Sequence, residues 1–282
     1  MRNRPRVGLA TSAGFPGLHV DERLVLAPLD RLGVDAEAVR WDDETVDWAS
    51  YDLVVVRSTW DYTTRRGEFL AWAASVPRLA NPADVLVWNT DKRYLAELAA
   101  AGVPVVPTGF VAPGEAYDVP AHEHVVKPTV SAGARDTRRF AAGEDSTVHA
   151  AGLLQAGRTA MVQPYQAAVD AAGETALLFF LGAHSHAARK AAVLVPTLSS
   201  PHDVEIAPRQ ASPVELEVAR AALAAVPHDG PLLYARVDLV PGPDGTPLVM
   251  ELELTEPSLF LPQAPGAADR FAQAVAEVSS RS

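Results

Sequence analysis

The chain has 282 residues, 48% of them hydrophobic, with a net charge of -11 and a pI near 5.2. That length and apolar content are enough for a substantial core in two or three lobes. The acidic balance excludes a general binder of nucleic acid or anionic membrane and leaves small-molecule chemistry, with room for a local basic pocket.

There is no cysteine, which excludes disulfides, thiolate nucleophiles and thiolate-bound zinc, so any metal is held by oxygen or histidine. The opening MRNRPRVGLATSAGFPG is basic, but Thr11, Ser12, Gly14 and Pro16 break its apolar run, so it reads as a first strand and not a signal peptide. No stretch approaches the roughly 18 apolar residues of a membrane span, and the cytoplasm is the expected location. Strand and helix then alternate: a strand at 6–12, a helix at 21–33 closing at Gly33, and strands at 35–41 and 52–59. A helix at 65–76 follows, with Phe69, Leu70, Trp72 and Ala73 at helical spacing. This is a parallel α/β pattern.

A longer helix is expected within 80–102, ending at Gly102. Residues 103–165 differ, with strands at 106–112, 123–128 and 160–165, a loop of small residues at 129–137 and a helix near 146–156. Beyond them, 174–190 reads as a hairpin turning at Gly182, 213–226 as a helix, and 232–254 as a hairpin turning at Asp244 and Gly245. The expected class is α/β with α+β lobes, divided as 1–87, 88–165 and 166–282.

The last hairpin carries the clearest chemistry. Glu251 and Glu253 share one face of a strand, Arg236 and Asp238 share one face of its partner, and Glu256 follows three residues later. Like charges side by side require a proton, a basic side chain or a metal to relieve them. Pairing of the strands brings Asp238 beside Glu251 and Glu253, a cluster of hard oxygen ligands suited to Mg²⁺, with Arg236 placed to hold a phosphate at two points. A solvated face of an edge hairpin and a glycosidase-like acid/base pair are the alternatives. Two lysines favour the phosphate reading: Lys92 near a helix start and Lys127 at the end of an apolar strand. After Lys127, Gly133 among small residues lets backbone amides approach a phosphate.

The order of these features resembles the ATP-grasp superfamily over roughly residues 88–260. The resemblance implies an ATP-grasp fold with an N-terminal Rossmann-like domain, and ATP and Mg²⁺ as cofactors. It implies that Lys92 and Lys127 contact nucleotide phosphates, with Lys127 also near the adenine, and that the loop containing Ser131 and Gly133 closes over them. The segment with Gln163, Pro164 and Tyr165 would hold the adenine edge, and Glu174 would contact ribose or substrate. Asp238 and Glu251 match the metal-binding acids, while Glu253 stands where many members have asparagine. The implied reaction is ADP-forming ligation through an acyl phosphate, with intermolecular joining of an amino acid to an amine as one form of it; a non-catalytic nucleotide-binding module is the alternative from another class.

A narrower resemblance rests on VVVRSTWDYTTRRGEFLAW, SHAARK and LELTEPSLF, which are similar to cyclo-ligases that close O-ureido-D-serine to D-cycloserine. It implies a small amino-acid-like substrate contacted by Arg57, Ser58, Trp60 and Asp61 at the carboxyl end of the first sheet, where open α/β sheets bind ligands, and by Glu256 and Ser258. Trp60 and Tyr62 have interdomain packing as their other reading. Arg189 would face the reacting carboxylate, with Lys127 and Arg236 as the other catalytic cations. His184 and His186 share a strand face that reads as solvated. No nucleic-acid or membrane partner is expected, and the choice between monomer and homo-oligomer stays open.

Overall fold

Three sheets follow one another along the chain in a computed structural model that describes residues 4–194 and 204–281. The first is parallel, formed by β1 (Arg6–Thr11), β2 (Asp35–Arg40), β3 (Leu53–Val56) and β4 (Leu79–Ala80) in the order β2-β1-β3-β4. Its two central strands, β1 and β3, are apolar because both of their faces are covered, while β2 at the edge carries Asp35, Glu37 and Arg40. The expected helix at 21–33 is a 3-10 turn at Glu22–Val25 followed by α1 (Leu26–Arg31). Pro28 has no N–H to bond back to Leu24, so regular α-helix starts only around it. After β3 comes α2 (Arg66–Ser75), then α3 (Ala83–Asn89) and α4 (Tyr94–Ala100).

The long helix expected within 80–102 is therefore two helices with a turn at 90–93 between them. Asp91 accepts the Arg93 backbone N–H with its own side chain, which offers the chain an alternative to helix at that point. In the same turn the Lys92 amide donates to the Thr129 carbonyl at 2.9 Å, which docks the turn on the second sheet's exit loop.

The second sheet is antiparallel: β5 (Gly109–Val111), β6 (His124–Pro128), β7 (Arg138–Phe140) and β8 (Ala160–Pro164), in the order β5-β8-β6-β7, with α5 (Thr147–Gln155) packed on it. The third is also antiparallel. After the short helix α6 (Val169–Ala172), it takes β9 (Glu174–Phe180), β10 (Ala183–Lys190), β11 (Ile206–Arg209), β12 (Tyr234–Pro241) and β13 (Pro247–Glu253) in the order β11-β10-β9-β12-β13. Leu181 and Gly182 both have positive φ, 48° and 77°, the backbone of a tight two-residue hairpin turn. Helix α7 (Pro213–Ala224) packs on β12 and β13, and α8 (Ala267–Ser279) packs on α1. No helix among the described residues is long and apolar enough to cross a membrane.

One core joins the first and third sheets: Val7, Leu9 and Leu29 pack in the same cluster as Leu178, Tyr234 and Phe271. Two buried asparagines fasten this junction. Asn81 donates to the carbonyls of Tyr234 (2.9 Å) and Leu254 (2.7 Å) and accepts from the Leu233 amide (2.9 Å). Asn89 does the same for Leu252 and Leu254, donating at 2.7 Å and accepting at 2.8 Å. Asn81→Ala would leave three buried backbone groups unpaired, and each such group costs about 1–3 kcal/mol. Urea unfolding should show a loss of at least about 3 kcal/mol for this variant; a loss within about 1 kcal/mol would contradict the role of Asn81 as a clamp.

Candidate active site

The β12–β13 hairpin sets Asp238 opposite Glu251 and Arg236 opposite Glu253. Asp238 is fully buried. The Arg236 guanidinium grips it at two points, 2.8 and 3.0 Å, also donates to Glu253, and reaches the Ser258 carbonyl at 3.1 Å. From β10, Lys190 donates to Asp238 at 2.9 Å and to Glu174 at 2.7 Å. Burial alone would discourage all these charges. For Arg236 it is outweighed by Asp238 and Glu253, and for Lys190 by Asp238 and Glu174, so both cations are held above their ordinary range. For Asp238 it is outweighed by Arg236 and Lys190, which hold the carboxyl below its ordinary range.

Across from the hairpin, Lys92 donates to Glu251 at 3.0 Å and to the Ser131 carbonyl at 2.7 Å. Lys127 is the last residue but one of β6, and its enclosure lowers its pKa against the pull of Glu251. Between the second and third sheets lies a cavity of about 900 Å³ lined by Lys92, Lys127, Glu174, Lys190, Arg236, Glu251, Glu253 and Glu256. Ser131 and Gly133 form one side, Gly133 with φ +59°. Gln163, Pro164 and Tyr165 form another, Gln163 donating to Thr108 at 2.9 Å. Trp60, Asp61 and Ser258 also line it.

Four of the expected site residues stand elsewhere. Arg57 is buried behind the wall, in a two-point pair with Glu22 at 2.6 and 2.7 Å, and donates to the Pro257 carbonyl at 2.6 Å. Ser58 is buried beside it and accepts the His19 amide at 3.0 Å. Arg189 turns away to the carbonyls of Ala172 and Ala171, at 2.8 and 3.2 Å, and its neighbour Lys190 lines the cavity instead. Asp238 is behind the wall, engaged by its two cations. His186, read as solvated, is buried and bonded to the Leu259 carbonyl at 2.9 Å. Residues that sequence reasoning missed include Phe15 and His19 on the cavity wall, whose rings meet Trp60 edge-on at 5.0 and 5.7 Å. Gly173 was missed too. A Cβ there would lie 2.5 Å from the Lys190 carbonyl, so the glycine permits the close approach that places Lys190.

Among the described residues no three acidic or histidine side chains converge into a finished metal cage. Two carboxylates, Glu251 and Glu253, still face the cavity with oxygen donors. Burial, with Glu251 and Asp238 adding to it and Arg236 opposing, raises Glu253 to about 7. Glu251 is paired with Lys92, and Glu253 shares Arg236 with Asp238; Mg²⁺ commonly takes one or two carboxylates with phosphate oxygens and water completing its shell. The donor set fits that ion.

These features, an antiparallel sheet with a two-lysine loop lobe facing a hairpin of paired acids, define an ATP-grasp ligase fold. Solved structures agree: a D-alanine–D-alanine ligase from Bacillus anthracis superposes with TM-score 0.70 at 14% identity, covering 98% of both chains. The ATP-grasp ligase PsnB superposes with TM-score 0.66 at 17% identity, covering 98% of this chain and 99% of that one. At higher identity, the cycloserine biosynthesis protein DcsG of Streptomyces lavendulae is 43% identical over 292 residues, 96% of this chain and 98% of the relative. The crystal structure of D-cycloserine synthetase DcsG has TM-score 0.89 and 42% identity, covering 98% of this chain and all of that one. Residues 7–81 match the family described as D-cycloserine synthetase DcsG, N-terminal domain. The chain belongs to the DcsG family.

The raised carboxyls have a consequence for stability. Glu253 at about 7 and Glu256 at about 8 stay protonated in the fold at pH values where the unfolded chain has released those protons. The fold then binds more protons, so stability is lost as pH rises towards these values, by roughly 1.4 kcal/mol per pH unit for each group still protonated. Buried His186, lowered to about 4 by burial, gives the opposite slope only below its unfolded value of 6.5. The ligand-free unfolding temperature should therefore fall between pH 6.5 and 8; a flat or rising profile would contradict the burial of these acids.

Proposed function

We propose that this protein is an ATP-dependent, ADP-forming ligase that activates a substrate carboxylate as an acyl phosphate and closes O-ureido-D-serine to D-cycloserine. The observation that carries the reading is the single cavity in which three lysines, Arg236 and the acids of β13 face one another, in a chain similar to D-cycloserine synthetase over nearly its whole length. Lys92, Lys127 and Lys190 would bind the triphosphate, exchanging carboxylate partners for phosphate oxygens. Glu251 and Glu253 would hold Mg²⁺, which when bound neutralises phosphate charge and polarises the transferring group. Asp238 would act from behind, keeping Arg236 and Lys190 in place.

Phosphoryl transfer to the carboxylate releases ADP, and Arg236 is placed to stabilise negative charge developing at the acyl oxygen. The nitrogen next to the side-chain oxygen then attacks the acyl carbon, a C–N bond forms and orthophosphate leaves. Because that nitrogen belongs to the same molecule, ring closure is entropically favoured. D-Cycloserine lacks the carbamoyl group of this substrate, so the balance requires one water to release it as carbon dioxide and ammonia. The loop at 129–137 and the segment with Trp60 would exclude other water from the acyl phosphate.

Mg²⁺-dependent ADP release should be driven by O-ureido-D-serine and not by its L-enantiomer or D-serine, with cycloserine as product. Glu251→Gln should lower that rate by at least about 10³-fold, losing both the metal contact and the partner of Lys92, with circular dichroism unchanged. ADP release only when a second amine is supplied would replace ring closure by intermolecular ligation. Full activity of Glu251→Gln would overturn the metal assignment.

A further inference from the structure

Glu256 follows β13, is 7% exposed and opens onto the cavity. Its neighbours there are matched by cations: Glu251 by Lys92, Glu253 by Arg236 and Glu174 by Lys190. Among the described residues Glu256 has no ion pair and no side-chain hydrogen-bond partner; only its own backbone N–H supports it. The charged and titratable groups facing it are Glu253 and Glu251 from β13, Lys92 ahead of α4, Arg57 and Tyr62 from the segment after β3, and Tyr234 from β12. Arg57 is already committed to Glu22, and Lys92 to Glu251. Glu256 is therefore a carboxyl enclosed at the reaction chamber with no cation of its own among the described residues. Burial pushes it up to about 8, Glu253 and Glu251 push the same way, and Lys92 opposes.

The ligase reaction leaves one proton to place. When an N–H nitrogen attacks the acyl phosphate, a C–N bond forms, the C–O bond to phosphate breaks with its electrons leaving on orthophosphate, and the nitrogen must lose its proton. The cavity's lysines and Arg236 carry protons already, Glu251, Glu253 and Glu174 are held by cations, and Asp61 accepts the Trp41 indole N–H at 3.1 Å, while Asp21 and His19 line the cavity on the side of Phe15 and Trp60, away from the β13 acids. We propose that Glu256 is the base that accepts the proton of the attacking nitrogen during ring closure. The proton passes from nitrogen to a Glu256 carboxylate oxygen, giving the carboxylic acid, which returns it to water as product leaves. This role rests on the ligase reading of the cavity. A base works best when its pKa lies near the working pH, and the environment of Glu256 sets it there.

The test separates the two half-reactions in the full-length enzyme with Mg²⁺, ATP and O-ureido-D-serine. Glu256→Gln keeps the size of the side chain and removes the base. Cycloserine formation should fall by roughly 10²-fold or more, and the rise of the parent's kcat with pH that a carboxylate base produces should disappear. Hydroxylamine, a strong neutral nucleophile, should still trap the acyl phosphate as hydroxamate at a rate within about threefold of the parent. Glu256→Asp, which keeps a carboxylate, should regain part of the pH-dependent limb and carries the test if the glutamine variant fails to fold. Ring closure at the parental rate and pH profile would overturn the role. So would a parallel fall of hydroxamate and cycloserine, which would place Glu256 in binding or phosphorylation. If the parent itself makes neither ADP nor hydroxamate, the ligase reading falls first and this role with it.

Discussion

Everything at the cavity depends on the buried contact in which Asp238 gathers Arg236 and Lys190. Asp238 belongs to β12, Arg236 lies two residues earlier on the same strand, and Lys190 reaches it from β10 past β9. Lys190 is also opposite Glu174 in the β9–β10 register. The result is an alternating chain of charges, Glu174–Lys190–Asp238–Arg236–Glu253, laid across four adjacent strands. Buried ion clusters of this kind seldom stabilise a fold more than well-packed apolar groups would. Their value here is positional: each cation is fixed on an anion of the protein, at a place where an incoming phosphate can take over part of that anion's role.

A second set of contacts brings the first sheet to the same place. Arg57, at the end of β3, is pinned by Glu22 and holds the Pro257 carbonyl, so the loop carrying Glu256 and Ser258 is anchored from the N-terminal sheet. Asn81 and Asn89 tie the preceding strand residues Leu252 and Leu254 to the same region. The first sheet thus shapes the chamber through its backbone attachments, while Trp60, with Phe15 and His19, supplies an aromatic wall. Arg57 and Ser58 act on the site through the loops they hold in place.

Much of this was legible in the sequence where local rules decide. The Asp244–Gly245 turn fixes a hairpin, and alternation on its strands then places Arg236, Asp238, Glu251 and Glu253 together, as the register confirms. Lys92 and Lys127 were legible from their positions at a helix start and a strand end. The choice between Arg189 and Lys190 was not, because β10 carries a bulge between His184 and His186. That extra residue shifts the register by one, so Lys190 and not Arg189 stands opposite Glu174. The break at 90–93 was hidden because Asp91 and a contact to Thr129 decide it, the latter about 40 residues away in sequence. Helix α8 went unread although Phe271, Ala274, Val275 and Val278 recur at helical spacing. The burial of Arg57 depends on Glu22 and Pro257, a convergence of distant segments that no local pattern displays.

The most direct measurement is a crystal structure of the protein with Mg²⁺ and a non-hydrolysable ATP analogue. The account predicts a nucleotide between the second and third sheets, phosphates in contact with Lys92, Lys127 and Lys190, and Mg²⁺ on Glu251 and Glu253 at about 2.0–2.1 Å, with Asp238 still gripped by Arg236. A nucleotide bound elsewhere, or phosphates that leave those lysines paired with their carboxylates, would contradict it.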